Sequence, residues 1–510
     1  VICVDSTFTQ RVQELAARIE PYLIEKRRFF HAHPELSGEE VNTTAAIAQE
    51  LDAMGIEYAL PNDFIPGPAP AQYTESENLA SLKEAGKAFV RQGVEARGVL
   101  TNAANRKNAS ETTKDQATSV NATSNQDASA STANGYGEST SVANCQDPSA
   151  STTKTSQGGS TISSQSGLIV TIRGEAPDAY DEQGRPRHRI VLRSDIDALP
   201  ILEQTGASYA SKNEGVMHAC GHDCHIAMML GAIRLLNELR DQLRGEVRII
   251  FQPAEEISIG SRRMIAAGAL DGVETIYGAH IWSEVEAGTV SIESGPRMAN
   301  TDWFRVDISG SSAHGAMPHK GVDAIVVGAA IIEALQVVVS RDVSSFDPVV
   351  LTIGEFHGGV ARNVMAGTSY LTGTVRSFDP KVREFLRERM EFMVHHVARS
   401  YSAKADFEWQ SGNSALINDK KCAKRAIKSA VKVLGEDALT KYEGTLSGED
   451  FSEYLRVVPG VFVFVGGKNP EKGADHPQHS CYYEVDESVL VSGAKLAAQY
   501  AFDFLNEDQG

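Results

Sequence analysis

The sequence predicts an α/β protein with a central sheet flanked by helices, interrupted by a smaller ferredoxin-like α+β domain and carrying a disordered low-complexity insertion. Three observations predict it. Short apolar runs alternate with helical patterns on both sides of a central stretch. That stretch, about 298–409, has the order β-α-β-β-α-β. A segment near the first quarter is built from Ser, Thr, Asn, Ala, Gln and Gly with few large apolar residues.

Thr7 and Gln10 stand at capping-box spacing, and Val12, Leu15, Ile19 and Leu23 recur at helical intervals, so a long first helix runs toward His31. A second helix covers 41–54, with Gly55 ending it. Residues 72–100 read as a polar helix. From 101 to 165 the chain holds too little apolar surface to offset its ordering entropy and reads as disordered. Strands follow at 167–174, 189–192, 247–251, 275–277 and 461–465, with a helix at 226–243 carrying Met229, Ala232, Leu235, Leu236 and Leu239. In the central stretch, strands at 304–308, 349–356, 370–377 and 403–409 alternate with helices at 323–339 and 381–396. The expected division is a larger domain in two parts, 1–297 (with an insertion at about 62–165) and 412–510, around a small domain at 298–411.

At 510 residues, two or three units are expected. An apolar fraction of 42% supplies sizeable cores, and a net charge of -19 argues against binding nucleic-acid phosphates. No run approaches the roughly eighteen apolar residues of a membrane span, so no membrane partner is expected. Val-Ile-Cys-Val at the start lacks a basic flank and a long apolar core; the expectation is no export and a cytoplasmic protein. Six scattered cysteines (Cys3, Cys145, Cys220, Cys224, Cys422, Cys481) do not read as a disulfide framework, and reduced thiols are expected.

Metal-type side chains cluster after the expected strands: Asp195 and Asp197, Glu255 and Glu256, His280, and the later His476 and His479. Ligands of open α/β sheets gather at the carboxyl ends of strands, so these groups are expected to meet in one crevice. The densest signal is His218-Ala219-Cys220-Gly221-His222-Asp223-Cys224-His225, whose thiol and imidazoles suit a borderline-soft cation such as zinc. A closed zinc knot of Cys220, His222, Cys224 and His225 is a rival, but it leaves the carboxylates and distant histidines unexplained. A zinc nucleobase deaminase would need Pro-Cys-x-x-Cys, which Cys220-x-x-x-Cys224 does not match. In the loop Gln252-Pro253-Ala254-Glu255-Glu256, adjacent carboxylates can point apart, one toward a metal and one toward its water.

With His31-Ala32-His33-Pro34-Glu35, Leu192-Arg193-Ser194-Asp195-Ile196-Asp197, Ser312-Ala313-His314-Gly315-Ala316-Met317-Pro318-His319 and Gly448-Glu449-Asp450-Phe451 added, the chain resembles the metal-dependent amidohydrolases that include hippurate hydrolase, N-acyl-amino-acid amidohydrolases and auxin-conjugate hydrolases, within the aminoacylase and carboxypeptidase G superfamily. The resemblance spans nearly the whole chain outside 62–165. It implies two divalent metal ions, zinc or manganese, held by Cys220, His222, Glu256, His280 and a late histidine, with Glu255 as general base and Asp197 orienting a metal-binding histidine. His479, followed by Ser480, Tyr483 and Glu487, fits the closing pattern better than His476, although the usual proline two residues later is absent. His314, in the small domain, would stabilise the oxyanion, often in the neighbouring subunit's cleft, and Asn363 and Arg376 would meet the substrate carboxylate. Ile257-Ser258-Ile259-Gly260-Ser261 replaces the glycine-rich run common after the Glu-Glu pair, which bears on substrate preference. The implied partners are a small acyl-amino-acid substrate and a second copy of the chain, docked through the small domain. An exopeptidase, dipeptidase or carbamoyl-amide hydrolase on the same scaffold is the nearest alternative; a metal-containing protein that binds without catalysis is the other.

Overall fold

A computed structural model describes residues 2–72 and 162–507, with side chains from Phe8 onward. In chain order the principal strands are β1 (Glu57–Ala59), β2 (Leu168–Arg173), β3 (Arg189–Asp195), β4 (Glu246–Gln252), β5 (Thr275–Glu286), β6 (Val290–Ser291), β7 (Asp302–Ser309), β8 (Val349–Gly358), β9 (Thr368–Ser377), β10 (Lys404–Ser411), β11 (Leu439–Thr440) and β12 (Gly460–Lys468). The longer helices are α1 (Ile2–Ala32), α2 (Val41–Met54), α3 (His222–Glu238), α4 (Ala324–Val337), α5 (Pro380–Ser400), α6 (Lys420–Leu434) and α7 (Leu490–Asn506).

Eight strands form the large sheet in the order β1-β2-β4-β3-β5-β12-β6-β11. Its centre is parallel, β4, β3, β5 and β12 all running one way, with antiparallel additions at β2 and β6. Parallel strands are covered on both faces, so both side-chain sets of each strand are largely apolar. On β12, Val461, Val463 and Val465 enter a core shared with α1, α3, α6 and α7, while Phe462 and Phe464 enter the opposite core with Met264, Ile265 and Tyr454 from two short helices. Phe8 of α1 stacks on Phe502 of α7 at 3.7 Å, tying the first helix to the last.

The second sheet, β8-β9-β7-β10, is antiparallel throughout, and α4 and α5 cover one face. This is the ferredoxin-like order expected from the pattern. Phe304, Val306 and Ile308 alternate inward from β7 onto Ile331 and Leu335 of α4 and onto Met390 and Val394 of α5, a core made from one continuous stretch of chain. The other face carries Arg305, which pairs with Asp307 at 2.7 Å and lies over the Tyr370 ring.

Several expectations change. α1 starts at Ile2, ahead of the capping-box residues Thr7 and Gln10, and runs through Pro21 to Ala32. α2 and its left-handed cap Gly55 (φ 66°) stand as expected. α3 starts at His222 rather than 226, because Gly221 in left-handed geometry (φ 95°) turns the chain into the helix one turn before the apolar periodicity begins. Both margins of the expected 62–165 insertion are ordered: Arg189 Nη2 donates to Pro68 O at 2.9 Å, and Ser163 N donates to Gly38 O at 2.8 Å. The expected helix at 72–100 and the disorder of 101–165 otherwise lie outside the described residues. α4 continues through a π turn to Asp342, and the 19 residues Ala324–Asp342 are long and apolar enough to cross a membrane by length and composition. Counting uninterrupted apolar runs missed this, since Glu333 and Gln336 interrupt the sequence but not the helix; a third of the span is buried against the sheet. Finally, Cys220, Cys224 and Cys422 are free, whereas Cys481 is disulfide-bonded, contrary to the expected reduced state. Disulfide pairing depends on the spatial approach of two Cβ atoms, which scattered spacing does not reveal.

Candidate metal centre

The crevice lies at the carboxyl ends of the central strands, as expected for an open α/β sheet. β3 ends in Asp195 and leads to Asp197; β4 ends in Gln252 and leads to Glu255 and Glu256; β5 carries His280; α3 opens with His222. Gly221 lets Cys220 and His222 approach β5. A Cβ at 221 would sit 2.3 Å from Ile281 Cγ2 and 2.9 Å from Tyr483 Oη, so a larger residue would displace the wall of the site. Backbone strain gathers here as well. Of the four non-glycine residues with left-handed φ among the described residues, Ala254 and Ser258 flank the Glu255-Glu256 pair and His479 is a third. Such geometry costs about 1–3 kcal/mol per residue and persists where surrounding packing enforces it.

Three interlocking groups place potential ligand atoms within 4.8 Å of one another: Cys220, His222 and His280; Cys220, Glu256 and His479; and His222, Glu255 and Glu256. Cys220 Sγ lies 3.4 Å from His280 Nε2, and Glu256 Oε1 lies 3.9 Å from His222 Nε2 and 3.6 Å from His479 Nε2. Hydrogen bonds fix the ring orientations. His222 Nδ1 donates to Asp197 O at 2.8 Å and His280 Nδ1 to Ile281 O at 2.6 Å, so each ring turns its Nε2 into the crevice. His222 Nε2 and Glu256 Oε1 are buried without a hydrogen-bond partner, the condition of atoms awaiting a cation. His225 differs: Nδ1 meets Asp195 Oδ1 at 2.5 Å and Nε2 accepts from Ile281 N at 2.8 Å, so it braces β3 against β5 and has no lone pair left for a metal. That removes the closed knot through His225. Of the two late histidines, His479 faces Glu256, while His476 packs on the Tyr482 ring.

The electrostatics also fit a cation. Burial opposes charge on His222, yet Asp195, Asp197 and Glu256 push its imidazole up to about 10. Burial, then Glu449, Glu256 and Asp450, hold the Glu255 carboxyl well above the usual carboxylate range. Burial with Glu256, Glu255 and Asp195 raises the Cys220 thiol. So much negative potential around a thiol, imidazoles and carboxylates suits borderline-soft divalent ions, and the donor set fits such a group.

Beneath the carboxylates lies a residue the sequence signalled only by its place in a motif. Arg193, fully buried on β3, donates to Gln252 Oε1 at 2.9 Å, Asp195 Oδ2 at 2.6 Å, and Glu449 Oε1 and Asp450 Oδ1 at 2.9 Å each. The Asp450 N–H in turn donates to Glu255 Oε1 at 3.2 Å. A second network behind α3 joins Arg27 to Asp223 at 2.8 Å and Asp223 to His31 Nδ1 at 2.8 Å, which gives the motif residues His31 and Asp223 a structural task.

Three expected site residues stand in the second sheet's part of the chain. His314, which pairs with Val364 in a short two-stranded ladder, and Asn363, in the turn just before Val364, are both exposed, with Gly315 N donating to Asn363 O at 2.9 Å. His314 Nδ1 accepts from Ala316 N at 3.0 Å, leaving Nε2 as the outward donor. Arg376, half-buried on β9, turns its Nη1 back onto the Thr374 hydroxyl and the Val375 carbonyl.

This fold and crevice define a metal-dependent hydrolase of amide bonds. Residues 191–503 match peptidase family M20/M25/M40, and the chain belongs to that family. It is 39% identical over 352 residues to the N-acetyl-L-cysteine deacetylase of Bacillus subtilis, covering 68% of this chain and 79% of that protein. It is 43% identical over 235 residues to the N-acyl-L-amino acid amidohydrolase of Geobacillus stearothermophilus, covering 46% of this chain and 64% of that one. The crystal structure of a dinuclear metal-binding M20 peptidase from Bacillus subtilis superposes with a TM-score of 0.66 at 27% identity, covering 96% of this chain and 99% of that one.

Proposed function

We propose that the protein hydrolyses the amide bond of N-acyl amino acids, with Cys220, His222, Glu256, His280 and His479 holding two divalent ions, zinc or manganese. The observation that carries this reading is the interlocking of the ligand groups: Cys220 belongs to one triad with His222 and His280 and to another with Glu256 and His479. The bound ions supply Lewis acidity and acidify water. Glu255, held by the Asp450 N–H and biased toward accepting protons by its buried, carboxylate-rich setting, takes a proton as water oxygen bonds to the carbonyl carbon. It returns that proton to the nitrogen as the C–N bond breaks. His314 Nε2 donates to the developing oxyanion, a contribution of about 3–4 kcal/mol for a well-placed donor. Asn363 and Arg376 orient the substrate carboxylate.

Residues 298–411 act as a separate domain that pairs two chains. The edge strand β8 and the exposed Ile325, Val326 and Val337 of α4 support a homodimer, since an open edge beside an apolar helix face favours pairing. Free Cys220, Cys224 and Cys422 favour a reducing cytoplasmic setting; the Cys481 disulfide is the observation against it. The test is a product screen of metal-loaded protein on N-acetyl amino acids, hippurate, dipeptides and carbamoyl amides. Release of acetate or benzoate is expected. Turnover of dipeptides alone replaces the reading with an exopeptidase, and no turnover of any of them favours a binding protein.

A further inference from the structure

The turn between α1 and α2 touches both carboxylate loops of the crevice. At its start, Ala198 N donates to Glu35 O at 2.9 Å, which sets the turn beside the end of β3. Ser37 Oγ then donates to Asp197 Oδ2 at 2.7 Å, and the same oxygen accepts from Glu256 N at 3.0 Å. At its end stands Glu40, fully buried. Glu40 occupies the N-cap position of α2, where a carboxylate ordinarily bonds the free N–H groups of the helix, yet its side chain makes no such bond. Its Oε1 accepts instead from Gly38 N at 2.7 Å and from Ala254 N at 2.9 Å, 214 residues along the chain. Oε2 is buried with no hydrogen-bond partner. Leaving a buried carboxylate oxygen unpaired is costly, so neither helix capping nor local stability accounts for a glutamate here.

The geometry of Ala254 does account for it. Ala254 holds φ 57°, which a side chain disfavours, and it directly precedes Glu255. Its carbonyl closes the other side of the loop by accepting from Gly260 N at 3.1 Å. Release of its N–H would let the backbone relax out of the left-handed region, and that rotation swings the Glu255 carboxyl first. The Asp450 N–H holds the far end of Glu255 by a longer bond, 3.2 Å. Glu256 has its own restraint in the bond to Asp197.

We infer that Glu40 is a positioning residue for the base: its Oε1 holds Ala254 in left-handed geometry and so aims the Glu255 carboxyl into the crevice. This rests on the hydrolytic reading, in which Glu255 takes the proton. A misplacement of about 1 Å can cost about 10²-fold in rate, so a bond remote from the metal ligands is enough to govern kcat.

Steady-state kinetics of the metal-loaded full chain on N-acetyl amino acids, compared with Glu40→Gln and Glu40→Asp, tests it. Glutamine keeps an oxygen that accepts both N–H groups and discards the charge; aspartate keeps the charge and withdraws the acceptor by one methylene. Glu40→Gln therefore retains kcat within about threefold, whereas Glu40→Asp lowers kcat by about 10²-fold with KM and metal content unchanged. Hydrogen exchange in the 252–260 segment quickens in Glu40→Asp and not in Glu40→Gln, a readout independent of turnover. A role in charge balance reverses the order of the two variants, and a role in stability alone lowers their unfolding midpoints with kcat per folded molecule intact; either result overturns the inference. Equal exchange in all three proteins does so as well. A parent without turnover overturns the hydrolytic reading and this role with it, whereas an active parent whose kcat is indifferent to Glu40→Asp overturns this role alone.

Discussion

The two sheets reach their order by opposite routes. The second sheet takes all four strands and both helices from one continuous run, its inner face is apolar and its outer face is solvated. The crevice of the large sheet draws on β3, β4, β5, α3 and the 448–451 and 479 segments, and its buried centre is charged: Arg193, Asp195, Asp197, Glu255, Glu449 and Asp450 are all removed from water. Local apolar burial is stabilising on its own, whereas buried charge is tolerated only while every partner is present. The second sheet should therefore lose stability gradually under substitution, and the crevice should fail abruptly, in chemistry before fold.

The sharpest contrast is expected at Glu255. Glu255→Gln keeps the shape of the site and should lower kcat by about 10²–10⁴, the usual worth of a general base, with metal content unchanged by elemental analysis. Loss of metal in this variant would mean that Glu255 is a ligand and not the base. Next comes Arg193→Met, which strands Asp195, Glu449 and Asp450 without their shared cation. A cost of about 3–5 kcal/mol in denaturant unfolding is expected, and a loss below about 1 kcal/mol would show that protonation of the carboxylates compensates. In the second sheet, Ile331→Ala, fully buried, should cost about 2–5 kcal/mol yet leave kcat and metal content alone. A drop in metal content would show that the two cores are one cooperative unit. Asp197→Ala releases the carboxylate side chain that lies against His222 Nδ1 at 3.2 Å and should weaken metal affinity about 10–100-fold. The smallest effect is one of pH. Burial alone would raise the Asp223 carboxyl, but Arg27 and His31 hold it far below the ordinary range. Its contribution to stability is then complete above the unfolded carboxylate value of about 3.9 and is lost as pH falls toward the folded value. Asp223→Asn should flatten that acid limb in thermal unfolding; because Asp223 also raises the His31 imidazole against its burial, the variant should lose as well the stability that His31 contributes at lower pH and gives up as pH rises through its raised folded value.

What the sequence made legible follows the same division. Alternation and helical periodicity located β7, β8, β9, β10, α4 and α5, because each buries one face against neighbours close in sequence. The proposed ligands Cys220, His222, Glu256 and His280 lie in clusters of metal-type residues after strands that the sequence marks directly, but their choice as one ligand set comes from the family resemblance. Other features were hidden for physical reasons. Apolar periodicity marks where a helix packs, so it missed the first turn of α3, where His222 and His225 face polar partners. Arg193 looks like any strand arginine until Glu449 and Asp450, over 250 residues on, are placed against its guanidinium. The disulfide at Cys481 depends on approach in space, about which residue spacing is silent. Length and composition give α4 the look of a membrane span, and only its packing on β7 shows which face is covered.

The central claim is that Cys220 is shared between two cation sites. Metal-to-protein stoichiometry of the purified full chain and of Cys220→Ala measures it directly. About two equivalents per chain are expected in the parent and fewer than one in the variant, with its circular dichroism unchanged. Two equivalents retained without the thiol would contradict the shared-ligand arrangement and, with it, this account of the crevice.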